Sequence, residues 1–368
     1  MSPSLNFRLA STITKLRHEY LALQKEDAHQ KLWDKFEKGP GFNTLTVVIP
    51  TRGCSWALSG NGGCSMCGYV NDSSRDQPIP SERILRNIRN QLLENHEEKP
   101  IHLKIYNSGS FFDQWDVPKN LRDQLIRLIQ ETPNVFKLSV ESKSEYILSC
   151  FDLIKEAAKQ LAPKELEIGI GLESSNDAII RDCHNKGTSL DVYNQSVQLL
   201  RPLGVRIKTY ILIKPPFLTE ADSIRDAIQT AIEAAKIGTD IISFSPCTVQ
   251  SGTLVDFLYR QDRYQPPWLW SVLYIVREIR SLYPSLPIIC DPVAAGKPRG
   301  AHNCGKCDTQ VLEEINRMTA SESIPRNLSE LSDICTCHYK WIRLVQTPIE
   351  IFRSRNLSQL RKSYPLEN

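Results

Sequence analysis

The sequence predicts an α/β fold: a partial (βα)6 barrel of the TIM type, with an N-terminal helix ahead of it and a small cysteine-rich module behind it. Three observations lead there. Short β-branched runs alternate with amphipathic helical stretches from about residue 45 to about 285, the pattern of parallel strands joined by helical crossovers. Six such units can be counted, fewer than the eight of a closed barrel. After Pro284 the alternation stops, and Gly/Pro breakers and clustered cysteines take over.

Residues 5–38 read as helix, because Leu9, Ile13, Leu16, Tyr20 and Leu23 recur at three- to four-residue spacing with charges between them. Gly39-Pro-Gly41 stops it. Leu45-Thr-Val-Val-Ile is a short buried strand that runs into Pro50-Thr-Arg-Gly-Cys54. Strands follow at Ile101–Tyr106, Phe136–Val140, Leu166–Ile170, Val205–Ile213 and Asp240–Ser245. Helices are expected at 121–131, 144–161, 189–203, 223–237 and 268–282, each with an apolar stripe. The expected division is an N-terminal extension over 1–44, the barrel over 45–289 and the cysteine-rich module over 290–368.

The 368 residues carry 45 basic and 42 acidic side chains, and 41% are hydrophobic. Such a chain can bury a large core and is not disordered. No stretch approaches the roughly 18–20 consecutive apolar residues of a membrane span, and the first residues hold no apolar signal core. A cytoplasmic protein is the expectation. Residues 1–45 hold 7 basic and 5 acidic groups, and 296–368 hold 11 and 8, against 27 and 29 between them. Mildly basic ends suit a nucleic-acid partner.

Eleven cysteines in a reducing compartment point to metal or catalysis where they cluster. Cys150, Cys183, Cys247 and Cys290 are scattered and read as small buried hydrophobes. Cys54, Cys64 and Cys67 lie together in Cys54-Ser-Trp-Ala-Leu-Ser-Gly-Asn-Gly-Gly-Cys-Ser-Met-Cys-Gly-Tyr69. Three thiolates in a Gly-rich loop can ligate three irons of a 4Fe-4S cluster, leaving the fourth iron open to a small molecule. A zinc knuckle with a distant fourth ligand is the alternative on residues alone.

A three-cysteine loop after strand one of a six-unit barrel resembles the radical S-adenosylmethionine (SAM) superfamily, in the branch shared by the elongator catalytic subunit, MiaB and NifB. Tyr106-Asn-Ser-Gly-Ser-Phe111, Val140-Glu-Ser142, Ile170-Gly-Leu-Glu-Ser174, Cys183-His-Asn-Lys-Gly187 and Ile213-Lys-Pro-Pro-Phe217 match its further landmarks in order. The resemblance implies cluster ligation by Cys54, Cys64 and Cys67. It implies SAM contacts from Met66 and Tyr69 to the adenine, and from Ser108 and Gly109 to the amino group. Glu141, Glu173 and Ser174 would lie near the ribose or the ammonium, and Lys214 near the SAM carboxylate or a tRNA phosphate. Lys208 is a further candidate, or pairs with Glu173 across adjacent strands.

Thr51-Arg-Gly-Cys-Ser-Trp56, Gly62-Gly-Cys-Ser-Met-Cys-Gly-Tyr69 and Leu212-Ile-Lys-Pro-Pro-Phe-Leu-Thr-Glu220 are similar, more narrowly, to the radical SAM subunits of archaeosine synthases. That similarity implies a lyase: C–N cleavage of a lysine-bearing 7-deazaguanine in the tRNA D-loop, giving the formamidine base archaeosine. The implied partners are tRNA, an ArcS-type subunit that attaches the lysine, and an electron donor, with no membrane. Other radical SAM modification of tRNA, or a non-catalytic zinc-dependent tRNA-binding protein, are the alternative readings.

Cys304-Gly-Lys-Cys307 and Cys335-Thr-Cys-His338 offer four sulfurs, with His338 or His302 in reserve. Structural zinc is the leading reading, with an auxiliary iron–sulfur cluster or bare thiols as alternatives. Lys297, Arg299, Lys306, Lys340 and Trp341 nearby are candidates for phosphate contact.

Overall fold

In the computed structural model, which describes residues 5–23, 32–75, 79–94, 99–320 and 335–347, eight strands form one sheet in sequential order. They are β1 (Trp33–Glu37), β2 (Asn43–Val48), β3 (Ile101–Tyr106), β4 (Val135–Glu141), β5 (Glu165–Glu173), β6 (Arg206–Ile213), β7 (Ile241–Pro246) and β8 (Ile288–Cys290). From β2 onward every neighbouring pair is parallel. The helices are α1 (Leu5–Ala22), α2 (Ser55–Leu58), α3 (Ser81–Glu94), α4 (Lys119–Glu131), α5 (Ser144–Ser149), α6 (Phe151–Leu161), α7 (Asp177–Asp182), α8 (Leu190–Leu200), α9 (Glu220–Ile237), α10 (Leu254–Tyr259), α11 (Leu269–Leu282), α12 (Asp308–Ala320) and α13 (Cys337–Gln346). The sheet curls into a half barrel with helices on its outer face.

The six expected units are present as β2 to β7. β8 adds a seventh parallel strand, only three residues long, which no periodicity could announce. Helix α3, absent from the sequence reading, buries Ile84, Leu85, Ile88 and Leu92 along one stripe. The 144–161 helix is two, broken at Cys150.

One expectation fails at the N-terminus. The helix ends at Ala22, and the rest of the expected span to 38 is not helical where described. Residues 33–37 form β1, which pairs antiparallel with β2 across Gly39-Pro-Gly41. The Gly/Pro triplet is a hairpin connection and not a helix stop. Residues in β1 alternate between exposed and half-buried, and Phe36 packs on the core beneath, so a sheet edge gives this segment a partner that a lone helix would lack.

Strand alternation separates two environments. Leu103 and Ile105, Leu138 and Val140, Ile168 and Ile170, and Ile207 pack with α3, α4, α6 and α8 in one apolar core. The opposite face holds His102 and Tyr106, Lys137, Ser139 and Glu141, Glu167, and Lys208 and Tyr210. There, Lys137 lies 2.5 Å and Lys208 3.3 Å from the Glu167 carboxylate. A second core joins β6 and β7 to α9 and α11, and includes Cys307, Val311, Ile315, Met318, Cys337 and Trp341 from the C-terminal segment.

Candidate active site

The cysteine loop leaves β2 and is bracketed at its start by Asp116. That carboxylate accepts from Thr51 Oγ1 at 2.5 Å, Gly53 N at 2.7 Å and Asn107 Nδ2 at 2.5 Å. One side chain thus ties the stretch before Cys54 to the turn after β3. Gly109 in that turn has no room for a side chain, since a Cβ would lie 2.9 Å from the Cys54 Cα and press on Asp116.

Residues 183–187 hold the loop from the other side. Ser65 N donates to His184 O at 2.9 Å and Ser65 Oγ to Cys183 O at 2.6 Å. Asn185 Nδ2 donates to Asn61 O and Gly63 O, both at 2.8 Å, and Trp56 Nε1 donates to Asn185 O at 2.9 Å. Helix α1 grips a third side through buried Arg17. Its Nε donates to Gly62 O at 2.6 Å, and its Nη2 to Cys67 O at 2.8 Å and Cys64 O at 3.5 Å.

A cavity of about 270 Å³ opens at the C-terminal ends of the strands, where barrels of this kind keep their active sites. Cys54, Cys64, Met66, Cys67, Tyr69, Ser108, Gly109, Glu141 and Glu173 all line it. Ser108 Oγ also donates to Tyr69 O at 2.9 Å. Three sequence candidates stand outside the lining. Ser174 is buried and donates to Asp226 Oδ1 at 2.6 Å. Lys214 Nζ lies 2.5 Å from Glu220. Lys208 sits behind Tyr210, bound to Glu167 and 3.4 Å from Tyr106 Oη.

The suggested Lys208–Glu173 pair is not formed. β5 changes register between Gly171 and Glu173, and Glu173 takes φ +65°. This turn carries its carboxylate to Lys186, 2.8 Å away. Lys186, Lys143, Tyr210, Asn107 and Gln250 join the lining although the sequence reading assigned them no role. Lys186 belongs to the 183–187 landmark, so the stretch was visible while the pairing was not.

Burial dominates the titration of the cavity's thiols and of Glu141. Burial pushes the Cys64 thiol up to about 12, against the opposing pull of Lys186. Burial likewise raises Cys67, opposed by Arg17. Glu141 is held above the usual carboxylate range by burial, although Tyr210 and Lys208 favour its ionised form. Burial holds the Cys64 and Cys67 thiols neutral on their own, so thiolates at these two positions call for a positively charged group to receive them. Among the described residues, the one group of three or more His, Cys, Asp or Glu whose ligand atoms all lie within 4.8 Å is Cys304, Cys307, Cys335 and Cys337. The cavity thiols are therefore spread wider than the ~3.8 Å edge of a single tetrahedral metal–sulfur site with ~2.3 Å bonds. Three thiols on one cavity wall could hold a multi-iron group.

Cysteines of the C-terminal segment do meet the single-ion geometry. Sγ separations are 4.0 Å for Cys304–Cys307, 3.5 Å for Cys304–Cys335 and 3.5 Å for Cys307–Cys337. Trp270 Nε1 donates to Cys337 Sγ at 3.3 Å, and Asn303 Nδ2 to Cys307 Sγ at 3.4 Å. These four residues could hold a metal ion. Two phosphate candidates are otherwise engaged: Arg299 binds Asp256 at 2.8 Å, and Trp341 is buried, donating to Ser271 Oγ at 2.8 Å. Lys297, Lys306 and Lys340 are exposed. Cys183, Cys247 and Cys290 are buried and Cys150 half-buried, though Cys247 also reaches the cavity wall.

A curled parallel sheet whose first crossover loop brings three cysteines over the strand ends, facing carboxylates and a glycine turn, places the chain among the radical SAM enzymes. Sequence comparison narrows this. The chain is 34% identical over 303 residues to archaeosine synthase subunit beta of Methanosarcina acetivorans, covering 82% of this chain and 85% of that one. It is 31% identical over 306 residues to the Thermococcus kodakarensis protein of the same name, covering 82% and 92%. The chain belongs to the archaeosine synthase subunit beta family. No protein-family model matches it. Among solved structures, archaeal Elp3 of Methanocaldococcus infernus superposes with a TM-score of 0.48 at 13% identity, over 74% of this chain and 63% of that one. No helix among the described residues is long and apolar enough to cross a membrane.

Proposed function

We propose that this chain is the radical SAM lyase of archaeosine synthesis, acting on tRNA. It would cleave a C–N bond of a lysine-bearing 7-deazaguanine base and leave the formamidine. The observation that carries this reading is the convergence of Cys54, Cys64 and Cys67 with Glu141, Glu173 and the 107–109 turn on one cavity, in a chain of this family.

Cys54, Cys64 and Cys67 would hold a 4Fe-4S cluster. When bound, the cluster supplies the electron for reductive cleavage of SAM, and with it the radical that takes hydrogen from the substrate's lysine chain. The residues do the rest. Ser108 and the carbonyls around Gly109 receive the SAM ammonium, and Glu173, fixed by Lys186, accepts from a ribose hydroxyl. Met66 and Tyr69 flank the adenine. Lys208 and Ser174 act from behind the wall, the first by holding the Tyr106–Tyr210 floor and the second by anchoring the turn after Glu173. The inward glycines of β5, Gly169 and Gly171, leave the cavity its width.

Cys304, Cys307, Cys335 and Cys337 would hold structural zinc, with exposed Lys297, Lys306 and Lys340 available to tRNA phosphates or to an ArcS-type subunit. Anaerobic purification followed by iron, sulfide and zinc analysis tests the assignment. About four irons and one zinc per chain are expected. Zinc without iron overturns the enzymatic reading, and about eight irons overturn the zinc assignment.

A further inference from the structure

Helix α1 lies outside the barrel, and none of its described side chains lines the cavity. Yet it approaches the cysteine loop as closely as backbone can. Gly62 takes φ +71°, and a Cβ there would stand 2.5 Å from the Thr14 backbone nitrogen. Thr14 Oγ1 donates to Gly60 O at 3.0 Å. One helical turn on, Arg17 is 1% exposed and reaches the carbonyls of Gly62, Cys64 and Cys67. Ile13, on the same stripe, is buried in one apolar cluster with Met66.

Two of those three carbonyls belong to expected cluster ligands, and the third to the loop's glycine turn. The guanidinium also has a group to spare: Nη1 is buried with no partner. A buried donor without an acceptor costs about 1–3 kcal/mol, so its retention calls for something to receive it. No acidic side chain within ion-pair range of Arg17 is seen among the described residues. The charge therefore stands uncompensated beside the loop that would carry a net-negative cluster.

We propose that Arg17 is a positioning residue of the iron–sulfur centre, fixing the loop through three carbonyls and setting a permanent positive charge beside the cluster. The inference rests on the cluster reading of Cys54, Cys64 and Cys67. Its consequence is electrical as well as mechanical. Net charge and hydrogen bonds to sulfur set the reduction potentials of such clusters, and a fixed cation favours the more negative, reduced state. Arg17 thereby makes the cluster easier to reduce, while its fork keeps the ligand backbone from opening to solvent.

The test uses the full chain, loaded with iron under anaerobic conditions, as wild type, Arg17→Met and Arg17→Lys. Readouts are the cluster midpoint potential, titrated by electron paramagnetic resonance, and the rate of iron loss to a ferrous chelator. Lys15→Ala, on the exposed side of the same helix, serves as control and should match wild type in both. Arg17→Met should be about tenfold harder to reduce, equivalent to ~59 mV for one electron, and should lose iron about tenfold faster. Arg17→Lys keeps the charge but not the fork, so its potential should stay near wild type while iron loss quickens severalfold. Wild-type potential and wild-type iron loss in both variants overturn the proposal. If Arg17→Met fails to fold, Arg17→Lys decides: faster iron loss supports the role, and the wild-type rate overturns it. Failure of the underlying reading is separate and appears first, as a wild-type chain that holds no iron.

Discussion

Replacing Asp116 should reveal how much of the active site hangs on a single carboxylate. Its oxygens receive three buried donors: the Thr51 hydroxyl, the Gly53 amide and the Asn107 amide. Asp116→Ala strands all three. Each stranded buried donor costs about 1–3 kcal/mol, so the sum is about 3–9 kcal/mol before water enters the vacated space. Burial holds the Asp116 carboxyl above its usual range, which means the native carboxylate is itself somewhat costly, and its removal returns part of the loss. A net destabilisation of about 3 kcal/mol follows. Asp116→Asn behaves differently. One oxygen stays for Thr51 and Gly53, and the new amide faces Asn107, whose Oδ1 is buried without a partner. Asn107 can turn over and accept, so about 1 kcal/mol is lost. Anaerobic urea unfolding of the iron-loaded chain reads both values, with iron content as the second readout, because Gly53 leads directly into Cys54. If Asp116→Ala unfolds within about 0.5 kcal/mol of wild type, as a surface substitution would, and keeps its iron, the bracket is not holding the loop.

Further outcomes are expected. Cys54→Ala, Cys64→Ala or Cys67→Ala should each abolish SAM cleavage, measured as 5′-deoxyadenosine, and retained cleavage in all three would refute their ligand roles. Cys304→Ala should release zinc and leave iron unchanged, checked by metal analysis. Because Cys307 and Cys337 belong to the core shared with α9 and α11, it should also lower thermal stability of the barrel's second half. Glu173→Ala should weaken SAM binding about tenfold without bleaching the cluster, and an unchanged SAM affinity by calorimetry would remove Glu173 from the site. Burial holds His102 and His184 neutral in the fold, both lowered to about 3. The unfolded chain gains their protons below about pH 6.5, so stability falls as pH drops from there, by about 1.4 kcal/mol per unit for each histidine. His184→Asn should halve the two-histidine slope between pH 6 and 4 in urea titrations. A slope equal to wild type would contradict the assignment.

The parallel strands and the cysteine loop were legible because each is local. A β-branched run or a Gly-rich triplet of cysteines carries its signal within a dozen residues. β1 was not legible, since five residues of mixed polarity become a strand only when the β2 edge is offered to them. Arg17 was visible merely as a charge on an amphipathic helix. That it lies four positions after Ile13, on the buried stripe, gains meaning only once Gly62 and Cys67 are seen against it. Lys208 and Glu173 occupy adjacent strands as the sequence suggested. The register change before Glu173 sends that carboxylate to Lys186 and leaves Lys208 to Glu167, and no spacing rule anticipates such a change. The four sulfurs of the C-terminal segment were grouped correctly from spacing, whereas their shared core with the barrel depends on α12 and α13 docking on α11.

The central claim is that this chain converts a lysine-bearing base in tRNA by SAM-dependent C–N cleavage. Mass analysis of nucleosides from such a tRNA, after incubation with the reduced, iron-loaded chain and SAM, tests it most directly. The account predicts loss of the lysine-bearing nucleoside and appearance of the formamidine nucleoside, together with 5′-deoxyadenosine. An unchanged tRNA from a chain that holds its iron and cleaves SAM would contradict it.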